Sequence, residues 1–582
     1  MSSKKSVAHA MWEMLHNVGV RRVYGIPGDA MNGILVALRD FPDIEFIHVR
    51  HEEAGVFAAN AEAFITGRPA AVCGTSGPGA THLVNGLYDA YHERVPVFAI
   101  AGDTSPQYIG SDIVEEVNVM RAYIDCTHFT GRIEQPEQAW SVFRGAINTM
   151  INRQGPVLVA MSSEVGQAEW PADEPIPAAL EVHEPVVSPS PHDLEDVVRL
   201  VSEAKKVMIF GGDGCRNAHG DVIALGKHLQ APIGYSWRGK SALGTGNPND
   251  VGMSGLLGYG GCFKAMRSAD LVIQIGSNWP FVPFYKESVK IVQADIRAEA
   301  LGRHTPRLDK GVVSDAGEFA RALMAAVPAR TDTSFLDEMV HHHEKRVHSI
   351  QYYVEKGPEH HPIRPEYLTA TIDRLADDDA VFTVDTGTPY IWAARYLSMR
   401  GNRRIFGSST WASMANAMPN SIGIALSQPG RQVIAMCGDG GISMLFGDLM
   451  TIAERQLPVK LVVFHNSMLD FVDIEFQEAG LVPFGTTLWT PNFAEVAKAM
   501  GIGSVRIEDP KDVEQSIKEA LAMPGPVLID AVVDKHALAL PPVITPKMAA
   551  KFGFSQVRQL LHGHAENVKD NITDNIGMLE SL

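Results

Sequence analysis

At 582 residues the chain exceeds what a single hydrophobic core organises, so three or four domains are expected. Hydrophobic residues make up 45% and charged residues 20%, an ordinary globular balance, and the formal net charge of −18 works against general binding to nucleic-acid phosphates or anionic lipid. A small anionic substrate stays compatible with that charge, because a cleft sets its own local field.

The first 25 residues read as a short basic start and an amphipathic helix through Val7, Met11, Met14, Leu15 and Val18, without the continuous apolar core of a signal peptide. Strand-like runs follow at 22–25, 44–49, 70–73 and 95–100, alternating with helical patterns. Between them, His48-Val49-Arg50-His51-Glu52-Glu53 leads from a strand end into a helix of small residues over 54–63. A carboxylate there serves equally well as a helix N-cap or first-turn acid, so Glu52 by itself identifies nothing.

A Pro- and Glu-rich stretch, 169–191, reads as an exposed linker, which puts the first domain at 1–180. A second α/β domain is expected over 190–330, with strands at 207–210, 271–275 and 290–294. Polar sequence at 331–365 makes the next connection; its tract His341-His342-His343 lies in a charged helix and reads as solvated surface rather than a metal site. A third domain is expected over 361–545, with strands at 380–384, 433–436, 460–464 and 527–530. The tail, 546–582, carries four acidic and four basic side chains. Three consecutive parallel-sheet α/β domains with a short tail are the predicted architecture. Five scattered cysteines without a CxxC pair fit a reducing cytoplasm, and no apolar run reaches the roughly 18 residues that span a bilayer.

The sharpest motif begins where the strand 433–436 runs into Cys437-Gly438-Asp439-Gly440-Gly441. Ligands of open α/β sheets bind beyond the carboxyl ends of strands, and glycines there let a backbone and a helix N-terminus approach a diphosphate. Asp439 supplies the hard oxygen that Mg²⁺ prefers. After a further 25 residues the next strand ends at Asn466, a length that fits one helix and a return to the sheet. Asp439 and Asn466 are thus expected on one sheet edge, with Asn466 completing a metal shell.

Gly438-Asp439-Gly440, the gap and Asn466 together resemble the signature of thiamine-diphosphate enzymes. The resemblance implies Mg²⁺ bound by Asp439, Asn466 and the backbone carbonyl of Met468. Arg50-His51-Glu52-Glu53, the following small-residue helix and Gly74-Thr75-Ser76-Gly77-Pro78-Gly79 resemble that family's pyrimidine-binding domain. Glu52 would then hydrogen-bond N1′ of the aminopyrimidine, so that the 4′-amino group takes the proton from thiazolium C2. Glu53 would face elsewhere. Met414, within Ala412-Ser413-Met414, matches the apolar wedge beneath the cofactor, and Gly387, Thr388, Gly440 and Gly441 match its diphosphate pocket. His82 matches a histidine near the reacting centre, a position that a buried structural histidine would fill equally well.

The resemblance is closest to the pyruvate oxidases, in particular the quinone-dependent pyruvate dehydrogenases of bacteria. Segments around Gly255, Gly276-Ser277-Asn278-Trp279 and Asp295 are similar to those that bind FAD in their central domain, although the glycines after the strand 207–210 are a weak dinucleotide signal alone. Phe471, Val472 and Glu475 match positions between thiazolium and flavin, with Phe471 and Glu475 among the implied catalytic residues. The implied reaction is oxidative decarboxylation of pyruvate or a related 2-oxo acid to acetate and CO₂, with a quinone or O₂ as acceptor, in a homotetramer. The alternatives are an O₂-dependent oxidase making acetyl phosphate and a non-oxidative carboligase of the acetolactate-synthase type. Two features depart from the pattern. Val114-Glu115-Glu116 replaces the usual Phe-Gln-Glu near the substrate, putting a carboxylate where an amide is expected. The tail offers Phe552, Phe554, Val557, Leu560 and Leu561 as an apolar face, which fits either a peripheral contact with the inner face of the membrane or packing on its own protein.

Overall fold

The computed structural model describes residues 5–171, 186–279 and 281–538, with 551, 552, 554–556, 558 and 559 of the C-terminal stretch. Three sheets follow one another along the chain. The first holds β1 (Arg22–Gly25), β2 (Glu45–His48), β3 (Ala70–Gly74), β4 (Val97–Gly102), β5 (Phe129–Ile133) and β6 (Val157–Met161), in the order β2-β1-β3-β4-β6-β5. The second holds β7 (Val207–Gly211), β8 (Ile233–Tyr235), β9 (Asp250–Met253), β10 (Tyr259–Gly260), β11 (Leu271–Ile275), β12 (Lys290–Asp295) and β13 (Lys310–Val313), in the order β10-β9-β8-β7-β11-β12-β13. The third holds β14 (Val381–Val384), β15 (Arg404–Phe406), β16 (Val433–Gly438), β17 (Val459–His465), β18 (Gly503–Ile507) and β19 (Val527–Val532), in the order β15-β14-β16-β17-β19-β18.

The inner strands are buried along most or all of their length, which is why β3 (AAVCG) and β4 (VFAIAG) read as continuous apolar runs. The outer strands β5, β15 and β18 mix buried with half-exposed or exposed positions and carry arginine or threonine, so they gave no such run. The first and third sheets are parallel throughout. The second is parallel except at one edge, where β10 pairs antiparallel with β9 through Tyr259 opposite Met253.

The first and third units share a core. The helix Glu52–Thr66 is buried on nearly every side, and its alanines let the helix Ala417–Ser427 lie directly on it. A Cβ at Gly423 would sit 1.9 Å from the Ala58 carbonyl oxygen, so only glycine permits this crossing. Two expectations are corrected. The linker does not begin as exposed chain: Trp170 is buried, and its backbone N–H donates to the Lys5 carbonyl. Nor is the histidine tract all solvated, because His343 packs under the β9–β10 turn, its Nδ1 taking the Gly261 N–H at 3.4 Å. Burial pushes the His343 imidazole below its usual range. His341 is exposed. No helix among the described residues is long and apolar enough to cross a membrane.

In the tail, Ser555 Oγ donates to the Leu481 carbonyl at 2.6 Å and an Arg558 guanidinium nitrogen to the Gly480 carbonyl at 2.6 Å, so this part packs on the third unit. Phe552 is partly buried against the core and Phe554 is exposed. Val557, Leu560 and Leu561 lie outside the described residues.

Candidate active site

At the carboxyl edge of the first sheet, β2 ends at His48 and the next helix starts at Glu52. His51 caps that helix by accepting the Glu53 N–H on Nδ1 at 3.2 Å. Glu52 is buried, with Oε2 2.8 Å from His82 Nδ1, and the His51 and His82 rings stack with centroids 4.3 Å apart. Side-chain donor or acceptor atoms of His51, Glu52 and His82 all lie within 4.8 Å of one another, a set of groups whose chemistry suits proton exchange. The turn into the His82 helix is tight: a Cβ at Gly79 would come within 3.0 Å of Glu52 Oε1. Glu53 turns the other way and accepts from Asn85 Nδ2 at 2.7 Å.

Asn85 carries the connection onward to the third unit. Its amide donates to Ser413 Oγ at 2.9 Å, and its Oδ1 accepts Trp411 Nε1–H at 2.7 Å. This loop is strained, since Ala412 and Ala415 hold left-handed φ of 59° and 68° without being glycine. Met414 reaches from it towards the other edge: its Cε is 3.5 Å from where a Cβ of Gly440 would lie.

At the carboxyl edge of the third sheet, β16 and β17 pair in parallel through Gly438 opposite Phe464, which brings Asp439 and Asn466 together. Asp439 is buried; its Oδ2 accepts the N–H groups of Asn466 at 3.0 Å and Ser467 at 2.5 Å, and its Oδ1 that of Gly440 at 2.7 Å. Asn466 Oδ1 accepts the Met468 N–H at 3.0 Å, closing a turn in which Ser467 takes φ 58°. Gly387, with φ 134°, heads the helix that starts at Thr388.

Two further buried acids stand beside this pair. Asp470 has one carboxylate oxygen without a partner, and burial, then the Asp473 carboxylate, pushes its pKa well up. Asp385 accepts the Asn416 N–H at 3.2 Å; burial raises it to about 7, and its Oδ2 would lie 1.8 Å from a Cβ at Gly441, so position 441 admits only glycine. Burial also raises Asp439, against the backbone N–H groups that hold it. Concentrated, unmatched carboxylate charge with an amide oxygen alongside fits a divalent cation and the hard-oxygen donor set it needs. Sequence reading missed Asp470 because, with Asp473, it looks like ordinary first-turn helix acid.

Phe471 and Glu475 lie on the helix Asp470–Glu478, Phe471 half-buried and Glu475 exposed. Among the described residues no hydrogen bond or ion pair joins Glu52 or His82 to Asp439, Asn466 or Glu475. Glu115 sits on the Glu52 side: its Oε2 accepts Ser76 Oγ–H at 2.6 Å, and its own φ is 62°.

In the middle unit, glycines at the strand ends serve first to let backbone pack on backbone. A Cβ at Gly212 would meet the Gly276 carbonyl oxygen at 2.4 Å, and one at Gly276 would meet Gly214 Cα at 2.6 Å. Trp279 lies in an aromatic cluster with Phe210, Phe281, Phe284 and Tyr285, and Gly255 packs beside it with φ 116°. Asn278 Oδ1 is buried without a partner, and buried Asp295 accepts the Arg297 N–H at 3.0 Å. Burial, then the neighbouring guanidinium groups of Arg297 and Arg238, pulls Arg94 down to about 10. Convergent cationic groups and an orphaned polar atom at these strand ends fit an anionic nucleotide.

Comparison with known proteins gives matches along most of the chain. Residues 5–124 match the thiamine pyrophosphate enzyme N-terminal TPP binding domain, 194–323 the central domain, and 385–531 the C-terminal TPP binding domain. A Bacillus subtilis protein, YdaP, named as thiamine pyrophosphate-containing, is 31% identical over 566 residues, 97% of each chain. The pyruvate oxidase of Lactiplantibacillus plantarum is 30% identical over 537 residues, 90% of this chain and 88% of its own. Acetolactate synthase 2 of Nicotiana tabacum is 28% identical over 547 residues, 91% and 82%.

Proposed function

The chain belongs to the thiamine pyrophosphate enzymes, and from that premise we propose that it oxidises pyruvate, or a close 2-oxo acid, to acetate and CO₂. Overall, pyruvate and water give acetate, CO₂, two protons and two electrons, and the electrons pass through FAD to a quinone. The observation that carries the reading is that the chain bears both halves of such a site on separate sheet edges, a buried carboxylate on an imidazole and a hard-oxygen nest. Similarity to a pyruvate oxidase over 90% of the chain supports the substrate, and the clustering of Arg94 with Arg297, Arg238 and Asp295 supports FAD.

Bound there, thiamine diphosphate supplies the carbanion that attacks a 2-oxo carbonyl and FAD the two-electron acceptor. The protein's part is positional and electrostatic. Asp439 and Asn466 hold Mg²⁺ against the diphosphate, with the Met468 carbonyl as third ligand. Met414 supports the cofactor from below, and Gly440, Gly441, Gly387 and Thr388 give the diphosphate its room. Glu52 holds the proton shared with N1′, and His82 sets the orientation of its carboxylate. Phe471 and Glu475 line the approach to the flavin. Because Glu52 and Asp439 are not joined within one chain, and because Val114, Phe484 and Trp489 stand 84%, 87% and 89% exposed, we assign completion of the site to a second copy within a homotetramer. Glu115 places a carboxylate beside Ser76, which weakens attraction for a substrate carboxylate and favours a modest affinity for pyruvate.

The deciding test is anaerobic addition of pyruvate to the purified yellow protein. Bleaching of the flavin's visible absorbance, followed by rapid reoxidation with a quinone and slow reoxidation in air, is the expected result. Rapid reoxidation in air would make O₂ the acceptor. A colourless protein that converts pyruvate to acetolactate would replace the oxidase reading with a carboligase.

A further inference from the structure

β2 is the outer strand of the first sheet, so one of its edges has no neighbouring strand. Outer strands leave alternate backbone groups unpaired, and some other element must satisfy them. Here that element is a short helical stretch of the third unit. An Arg455 guanidinium nitrogen donates to the Phe46 carbonyl at 3.0 Å, Thr451 Oγ1 donates to the His48 carbonyl at 3.2 Å, and the Arg50 N–H donates to Asp448 Oδ1 at 2.8 Å. Residues 46, 48 and 50 share one parity, so the three bonds follow the strand edge as a neighbouring strand would.

Asp448 is fully buried, and its Oδ1 lies 2.9 Å from Thr451 Oγ1, so that oxygen and the His48 carbonyl share the single Thr451 hydroxyl proton. The Arg50 side chain adds a bond to Glu454 at 2.6 Å. Two residues beyond Arg50 is Glu52. At the other end, the same stretch starts at Asp439: the helix Asp439–Met444, a turn at Phe446–Asp448 and the helix Leu449–Glu454 follow almost without interruption.

We propose that Asp448 and Thr451 are positioning residues for Glu52, fixing the end of β2 from the segment whose head is Asp439. The inference rests on the activating role assigned to Glu52. Neither residue touches the reacting atoms. Their effect is to stop the His48–Glu52 turn from drifting, and small displacements of a proton-transfer group cost rate steeply.

The test uses the holoenzyme and reads hydrogen–deuterium exchange at C2 of bound thiamine diphosphate by quenched NMR, beside kcat, KM and cofactor affinity. Asp448→Ala should slow exchange and kcat together by about tenfold or more, with KM for pyruvate and affinity for thiamine diphosphate and Mg²⁺ within about threefold. Thr451→Val should show the same pattern more weakly. Asp448→Asn, which keeps the Oδ1 acceptor, should recover most of the exchange rate. Wild-type exchange in Thr451→Val, or equal loss in the Asn and Ala variants, would overturn the proposal, even if Asp448→Ala does not fold. Glu52→Gln is the control: if it too exchanges at the wild-type rate, the reading of Glu52 fails rather than that of Asp448.

Discussion

The first and third sheets have the same strand order, each with its second strand outermost, then the first, third, fourth, sixth and fifth. Both present their functional groups at the carboxyl edge, just before a helix N-terminus. What they present differs. The first edge carries His51, Glu52 and His82, side chains that give and take protons. The third carries Asp439, Asn466, Asp385 and Asp470, oxygen donors packed so closely that burial raises three carboxyls. One topology therefore fixes where a site can form, and the residue types at its strand ends fix whether that site suits proton exchange or a cation.

This division of labour can be broken by exchanging losses. Glu52→Gln keeps shape and removes the proton-holding group, so turnover should fall by about 10²–10⁴-fold with cofactor still bound. Steady-state rates beside cofactor content after gel filtration check it, and a loss below tenfold would dissolve the contrast. Asp439→Asn should act on affinity first. Losing even an indirect partner of a metal ligand costs about 10–100-fold in metal affinity, so losing the ligand's charge should cost at least that much. Titrating activity with Mg²⁺ should show the midpoint moving by that factor and partial recovery at high Mg²⁺. Recovery of Glu52→Gln by Mg²⁺ would instead merge the two roles.

The two edges were unequally legible in the sequence. Asp439 and Asn466 could be placed together from residues alone, because a strand end, one helix length and a second strand end constrain their geometry. Glu52 could not, since a first-turn carboxylate has many uses, and only the surrounding pattern pointed to it. Most inner strands were readable as apolar runs, although β6, β8 and β9 were not picked out, whereas β5, β15 and β18 were hidden by their half-exposed faces. His343 was misread because its neighbours in sequence are charged, while its neighbours in space are the glycines of the β9–β10 turn. Asp448 was invisible for the same reason: its partner, Arg50, is 398 residues away in the chain.

A smaller effect probes how firmly the two units are joined. Gly423→Ala would drive a methyl group into the Ala58 carbonyl and force the helices Glu52–Thr66 and Ala417–Ser427 apart. Overpacking of this kind costs about 1–3 kcal/mol. Chemical denaturation should show that loss, and because Ala58 lies on the helix headed by Glu52, turnover should fall more than Mg²⁺ affinity. Equal losses at both edges would mean that the two units answer to this contact as one body.

The smallest effect separates a buried acid with no chemistry from Glu52. Asp89 lies on the His82 helix, two turns further on, and is fully buried. One of its oxygens accepts Asn60 Nδ2–H at 3.0 Å and the other has no partner. Burial, then the nearby Glu93 carboxylate, raises its pKa above the ordinary carboxyl range. The folded protein therefore binds this proton more tightly than the unfolded chain does. The stability it contributes is fully present below the unfolded carboxyl pKa, about 4, and is lost as pH rises through the raised folded value. Asp89→Asn keeps an acceptor for Asn60 and removes the titration. Its unfolding free energy, relative to the wild type, should accordingly rise between pH 5 and pH 8 by an amount on the order of 1 kcal/mol. A difference that stays constant across that range would mean Asp89 is ionised in the folded state throughout. The carboxylate on this helix would then be paired as fully as Glu52 is with His82, and burial alone would not distinguish structural from functional acids at this edge.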